Sequence, residues 1–393
     1  MNKITIKKTK TQQKFGLYSH RISDLVRNLM FELINNLKQN LISLENAEIP
    51  FEALFIIEND NELEDSIRNE TTKNSIVILK LMDKEVLLNF KSYWYNDQYL
   101  YNEMTISSQE EFNFTDYEFF EYLLNNAIYH SEFKGAYINI EGDDIQNFHT
   151  HELPERSFED IFLPEKLLQP LNSYISIYEK RKRLIRYLFV GMPGSGKTES
   201  LIVIANALKQ QGVTILKVAA AGIRNAVKLA NILAPSLIIL DDMDLELGNR
   251  EDHSESEHLK AFLDMLDGVE KLHSDVGIIA TTNSLWLVDT AAQRPGRFNK
   301  IMGFGELTDA NAKNIILKAL KSVDMNHLSI LSDEKIIQHY MSQKSSGAYI
   351  YNMTQMLANQ LDIGVVEESV KDILAYIQDD SETLSYFSEK TNI

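Results

Sequence analysis

Apolar positions recur along this chain first at mixed spacings, then as a strict alternation of strand-length and helix-length runs. Ile22, Leu25, Val26, Leu29, Leu33 and Leu37 fall at helical spacing and predict a helix over 19–44. Apolar runs of strand length follow at 51–58 and 75–82. Val86, Tyr93, Trp94, Tyr95, Tyr99 and Tyr101, interrupted at Asn96-Asp97, predict a hairpin within 85–107. A helix over 116–129 and a strand over 136–140 complete the pattern of an α+β domain. Its aromatics read as core and cross-strand pairs rather than a cofactor cage. The polar stretch from Gly142 to Pro154 is an expected linker.

From Ser157 onward the period changes. Strands are predicted near 186–190, 213–218, 236–241, 276–281 and 300–304, with helical segments between them. Such alternation implies a parallel sheet with helices on both faces and a ligand at the strands' carboxyl ends. After Thr308 the pattern is wholly helical, with runs near 309–321, 332–343, 346–360 and 366–378. The expected organisation is a basic arm (1–18), an α+β domain (19–145) and a linker (146–156). An α/β domain (157–307) and a helical lid with a C-terminal tail (308–393) follow.

Composition narrows the field. The chain has 393 residues and no cysteine, so disulfides and cysteine metal sites are excluded. No apolar run reaches transmembrane length, the N-terminus lacks a signal-type apolar core, and a cytoplasmic location is expected. The formal net charge of −18 disfavours a general nucleic-acid role, because an acidic surface repels phosphate. Lys3, Lys7, Lys8, Lys10 and Lys14 form a local basic exception, read as a solvated tail. His149 and His151 are read as solvated linker residues, and no H-E-x-x-H is present.

The chemistry concentrates after residue 190. Gly191-Met192-Pro193-Gly194-Ser195-Gly196-Lys197-Thr198 follows a predicted strand and opens a predicted helix, the context that a phosphate-binding loop requires. Glycines let backbone N–H groups converge on an anion, and the helix N-terminus adds partial positive charge. Gly191, Pro193, Gly194, Ser195, Gly196, Lys197, Thr198 and Glu199 are therefore the expected nucleotide contacts. Lys197 would reach the β- and γ-phosphates, and the Thr198 hydroxyl would bind Mg2+. The apolar run Leu237-Ile238-Ile239-Leu240 delivers Asp241 and Asp242. Asp241 suits the metal and Asp242 the attacking water. A further strand ends at Asn283, a candidate hydrogen-bond partner for the γ-phosphate or the water. Arg294 and Arg297 flank a Pro-Gly turn and suit phosphate contact. Ser346-Gly347-Ala348 opens a lid helix, so Gly347 and Ala348 are expected to cover the nucleotide.

These motifs, in this order over about residues 157–365, resemble the AAA clade of the AAA+ ATPases. Ser157-Phe158-Glu159-Asp160-Ile161, Leu163-Pro164-Glu165, Arg250 and Leu263-Asp264-Met265-Leu266-Asp267-Gly268 extend the likeness. The resemblance implies ATP and Mg2+ as cofactors and a homo-oligomeric ring, usually hexameric. In such a ring Arg294 and Arg297 reach a neighbour's γ-phosphate, and the N-terminal domain binds a protein partner. Three positions depart from the family pattern. Asp242 stands where glutamate is usual, shortening reach by about 1–1.5 Å. Val218-Ala219-Ala220-Ala221-Gly222 runs into Ile223 without the aromatic pore loop of polypeptide-threading members, and Asn299 replaces an acidic residue. The functions weighed are a ring ATPase that remodels or gates a protein, an ATP-gated scaffold with slow hydrolysis, and a DNA-associated ATPase.

Overall fold

The computed structural model describes residues 18–22, 29–34, 36, 51–65, 70–81, 84–95, 98–108, 116–141, 148–244, 253–267, 272–284, 294, 296–323 and 325–379. The basic arm, Arg250, Gly268 and Pro295 lie outside the described residues. Two compact units emerge, Met1–Lys134 with Asp144–Phe148, and Gly135–Asp143 with His149–Ile393.

The first unit is built on a five-stranded sheet of order β1-β5-β4-β3-β2. Its strands are β1 (Tyr18–Ile22), β2 (Phe51–Asp65), β3 (Glu70–Leu81), β4 (Lys84–Tyr95) and β5 (Gln98–Ser108), all paired antiparallel. On β4, Val86, Leu88 and Phe90 are buried while Leu87 and Asn89 are less so, the period of two that a one-faced sheet demands. Helical residues 29–34 cover that face, with the Phe31 and Phe90 rings 4.7 Å apart. Helix α1 (Asp116–Tyr129) buries Phe119, Leu123, Ala127 and Ile128 at helical spacing. The helix expected from residue 19 does not begin there. Tyr18–Ile22 instead pair with β5, from Tyr18↔Ile106 to Ile22↔Asn102. Ladder hydrogen bonds along an otherwise open strand edge outweigh local helical period.

The second unit holds a seven-stranded sheet of order β12-β8-β11-β10-β9-β6-β7. The five strands predicted from apolar runs are β8 (Arg186–Gly191), β9 (Thr214–Val218), β10 (Ser236–Leu240), β11 (Val276–Thr282) and β12 (Lys300–Phe304), in parallel register. β10 and β11 are buried throughout, as central strands covered on both faces must be. Around them lie α2 (Glu165–Arg181), α3 (Lys197–Lys209), α4 (Ile223–Ile232) and α5 (His253–Asp267).

The expected domain boundaries need correction here. β6 (Tyr137–Ile140), assigned from sequence to the N-terminal domain, pairs parallel with β9 from Tyr137↔Ile215 to Ile140↔Val218. β7 (Phe148–His151), within the expected linker, forms the outer edge of the same sheet. Alternation identifies a strand but not the sheet it joins. Burial of Ile138 and Ile140 against the β9 flank decides that.

The lid comprises α6 (Asp309–Lys321), α7 (Leu328–Leu331), α8 (Glu334–Ser342) and α9 (Gly347–Asp362), with residues 370–379 also helical. Thr308 opens α6 through a capping box with Asn311, and the Ser346 hydroxyl accepts the Tyr349 N–H at the start of α9. Ala312, Ile316, Ile336, Tyr340, Ile350 and Leu357 form a core separate from that of the sheet. Among the described residues no helix is long and apolar enough to cross a membrane.

Candidate nucleotide-binding site

The site lies where β8, β10 and β11 end. β8 runs into the glycine loop, and α3 starts at Lys197 behind Gly196, whose φ of 95° suits glycine alone. Gly191 allows a closer approach than any side chain could: a Cβ there would stand 2.2 Å from the Phe304 carbonyl oxygen. Lys197 is buried, and its Nζ donates to Gly191 O (2.7 Å), Met192 O (3.0 Å) and Asn283 Oδ1 (2.7 Å). Burial lowers its pKa from the usual lysine value, opposed by the carboxylates of Asp242, Asp244 and Asp241.

The expected metal-binding pair is brought together. The Thr198 hydroxyl is 3.2 Å from both Asp241 carboxylate oxygens, and Thr281 Oγ1 donates to Asp241 Oδ1 at 2.6 Å. A hydroxyl and one carboxylate are hard oxygen donors of the kind Mg2+ takes alongside phosphate and water. Ser195 Oγ is buried in the loop without a hydrogen-bond partner among the described residues, a polar atom that a phosphate oxygen could satisfy. The residues therefore fit MgATP.

Asp242 leaves β10 with φ 47°, a left-handed conformation that aspartate tolerates better than most side chains. Its N–H donates to Thr281 Oγ1 at 2.8 Å. Burial raises its carboxyl above the ordinary range, and neighbouring Asp241 and Asp244 add to this, while Lys197 and an Asn283 hydrogen bond oppose it. Asp244, which the sequence reading passed over, anchors the end of β11. Its Oδ1 accepts from Thr282 Oγ1 and from the Asn283 N–H, both at 2.8 Å, and Oδ2 accepts from Asn283 Nδ2 at 3.3 Å. Burial alone would raise Asp244, but these hydrogen bonds prevail and hold it below the usual carboxylate value. The one sequence signal for it was a third carboxylate just past a buried strand. Its partners sit on another strand, which no local rule reveals.

A cavity of ≈ 480 Å³ extends from the glycine loop. Gly194, Lys197, Thr198, Asp242 and Asn283 line its polar end, while Ile161, Leu163, Leu307, Ile315 and Tyr351 close the other. An apolar slot beside a phosphate cradle suits a flat heteroaromatic base. These apolar positions were missed in sequence because each reads as ordinary core. Lys318 Nζ donates to the Asp160 carbonyl at 2.6 Å, tying lid helix α6 to the segment before α2. The lid also meets the loop directly. Ala348 N–H donates to Gly194 O at 3.1 Å, and Gly347 and Ala348 line the cavity. Glu199 also lines it, its Oε2 3.2 Å from Arg156 Nε.

The two arginines are placed differently. Arg297 is turned inward with 6% of its side chain exposed, its Nε and Nη2 2.7 and 2.8 Å from the Asp267 oxygens. Arg294 contacts the same carboxylate through Nη1 at 2.7 Å but keeps 70% of its side chain exposed. Both were expected to reach a neighbour's γ-phosphate, and of the two only Arg294 has an exposed side chain. Asn299, which stands where an acidic residue is usual in the family, ties the chain after the turn to the start of β8. Its Oδ1 accepts the Arg186 N–H and its N–H donates to Arg186 O, both at 2.8 Å.

Comparison with known proteins agrees with this geometry. Residues 187–306 match the ATPase family associated with various cellular activities (AAA). The chain is similar to the proteasome-activating nucleotidase of Saccharolobus islandicus, 29% identical over 232 residues, or 51% of this chain and 56% of the relative. It is 27% identical over 215 residues to the proteasome-activating nucleotidase of Methanococcus maripaludis, or 47% of this chain and 52% of the relative. It is also 27% identical over 227 residues to a putative cell division cycle ATPase of Plasmodium falciparum, or 53% of this chain and 17% of the relative. The chain thus spans about half the length of the nucleotidases it matches. A phosphate loop, a paired hydroxyl and carboxylate, a second aspartate and a strand-terminal asparagine, all within the matching stretch, identify residues 187–306 as an AAA ATPase domain.

Proposed function

We propose that this protein is an Mg2+-dependent ATPase that assembles into a ring, a hexamer, and remodels or gates a protein partner bound by its N-terminal unit. The observation that carries the reading is the convergence of Lys197, Thr198, Asp242 and Asn283 on one cavity lined also by the lid, with Asp241 held against Thr198. Lys197 exchanges its carbonyl contacts for β- and γ-phosphate oxygens. Thr198 and Asp241 hold Mg2+, which when bound offsets phosphate charge. Asp242 takes a proton from water as the water oxygen attacks the γ-phosphorus and the bond to the β-phosphate oxygen breaks. Arg294, exposed and on a turn, is the side chain that a neighbouring protomer's triphosphate would meet. The names of the nucleotidase relatives support a protein-directed role.

Steady-state ATP turnover by the wild type, Asp242→Ala and Arg294→Ala tests the assignment. Both variants should lose turnover by about two orders of magnitude or more. Equal rates in all three would remove the site from consideration.

A second reading is favoured by two observations. Asp242 is shorter than the family's glutamate, and the β9–α4 connection is a single short turn, Ala220–Gly222, with no aromatic. In that reading ATP orders a scaffold and turnover only resets it. Particle size with and without ATP, set against the measured rate, separates the two. Partner-stimulated turnover supports the remodeller, whereas a stable ATP-dependent ring with negligible hydrolysis supports the scaffold.

A further inference from the structure

Asp244 has no assigned role, yet its carboxylate accepts three hydrogen bonds from the end of β11 among the described residues. It receives a hydroxyl and a main-chain N–H on Oδ1 and a side-chain amide N–H on Oδ2. We propose that Asp244 is a positioning residue that fixes the amide of Asn283, so that Asn283 faces the phosphate pocket as a hydrogen-bond acceptor. Asn283 then orients the attacking water by accepting a hydrogen bond from it and does not donate to the γ-phosphate. This rests on the ATPase reading above and assigns one side chain within it.

Two constraints act on the amide from opposite sides. An ionised carboxylate only accepts hydrogen bonds, so the amide atom facing Asp244 Oδ2 must be the nitrogen. An ammonium only donates, so the atom 2.7 Å from Lys197 Nζ must be the oxygen. Both constraints choose the same orientation. Rotating the amide by half a turn would set N–H against the ammonium and oxygen against the carboxylate, two repulsive contacts at once. A further hydrogen bond from Asn283 to Asp242 lies in the same set of interactions and also calls on the amide as donor. The clamp extends along the strand end, where Ser284 N–H donates to Thr282 Oγ1 at 3.0 Å.

The lysine makes this orientation functional. Its ammonium has three protons, and Gly191 O, Met192 O and Asn283 Oδ1 take them. When Lys197 turns to a triphosphate it releases Asn283 Oδ1 while Asp244 still holds the amide nitrogen. An acceptor is thereby freed beside Asp242, whose short side chain gains a second group to align the same water.

The test is a double-mutant cycle of Asp244→Asn and Asn283→Ala, read by steady-state ATP hydrolysis. Asp244→Asn keeps the shape and can still accept the main-chain and Thr282 hydrogen bonds, but it opposes N–H to N–H at the amide. It should lower kcat about 10- to 100-fold with KM for ATP within about threefold, and cost under about threefold when Asn283 is already alanine. Wild-type activity in Asp244→Asn overturns the proposal. So does a loss expressed in KM, or the same cost in both backgrounds. A wild type that binds MgATP without turning it over would instead overturn the ATPase reading. The clamp is then judged by unfolding midpoints of the same four proteins, where non-additive shifts support it and additive shifts overturn it.

Discussion

In the proposed mechanism Asp242 is the group that takes the proton from water. A base must be ionised to accept a proton, and burial beside Asp241 and Asp244 raises this carboxyl. Turnover is therefore lost as pH falls through a pKa above that of an exposed aspartate. The acid limb of a kcat/KM profile should lie correspondingly high, and an ordinary carboxylate limb would argue against Asp242 as the base. Asp244 has the opposite sign. Its folded pKa is lowered, so its stabilisation is present above the unfolded value and is lost as pH falls through the lower one. Lys197→Ala should weaken MgATP binding by about 100-fold, on the scale of losing a charge-assisted phosphate contact, as read by titration with a fluorescent ATP analogue. An unchanged affinity would mean the nucleotide does not sit in this loop.

Among the elements, the contact between the glycine loop and the lid leaves little room for a side chain. A Cβ on Gly194 would stand 2.8 Å from both Ala348 Cβ and Ser346 Oγ, and the residue has φ 73°. Gly194→Ala should therefore cost about 1–3 kcal/mol of stability and displace the start of α9. Thermal unfolding with and without MgATP would register both a lower midpoint and a smaller nucleotide-induced rise, whereas a wild-type pair of midpoints would dismiss the contact. The sequence placed α1, α6 and the five strands β8 to β12 well, because each is one apolar run with clear ends. It misplaced Tyr18–Ile22 and the sheet membership of Tyr137–Ile140 for a shared reason. Strand pairing is a long-range choice, and local periodicity holds no record of the partner.

For the whole molecule, the decisive question is which arginine serves a neighbour. Arg297 is buried in a two-pronged pair with Asp267, so Arg297→Ala should lower the unfolding midpoint as well as turnover. Arg294 is exposed, so Arg294→Ala should leave stability within about 0.5 kcal/mol while removing turnover. If sites are shared between protomers, mixing inactive Arg294→Ala with inactive Lys197→Ala should restore activity. Some interfaces would then join an intact lysine to an intact arginine. Mixed oligomers with no recovered turnover would exclude a shared site.

The sequence by itself determined which residues are candidates to bind a triphosphate. The order Gly191–Thr198, Asp241-Asp242, Asn283 and Arg294–Arg297 is a matter of residue type and spacing along strands whose ends the apolar runs mark. Tertiary structure alone decided how they are used. It joined β6 and β7 to the nucleotide-binding sheet, turned Arg297 inward on Asp267, and set Asp244 against Asn283 across two strands. Spacing along a chain fixes what neighbouring backbone can present. Packing between distant segments fixes which way a buried polar side chain must turn to find its partner.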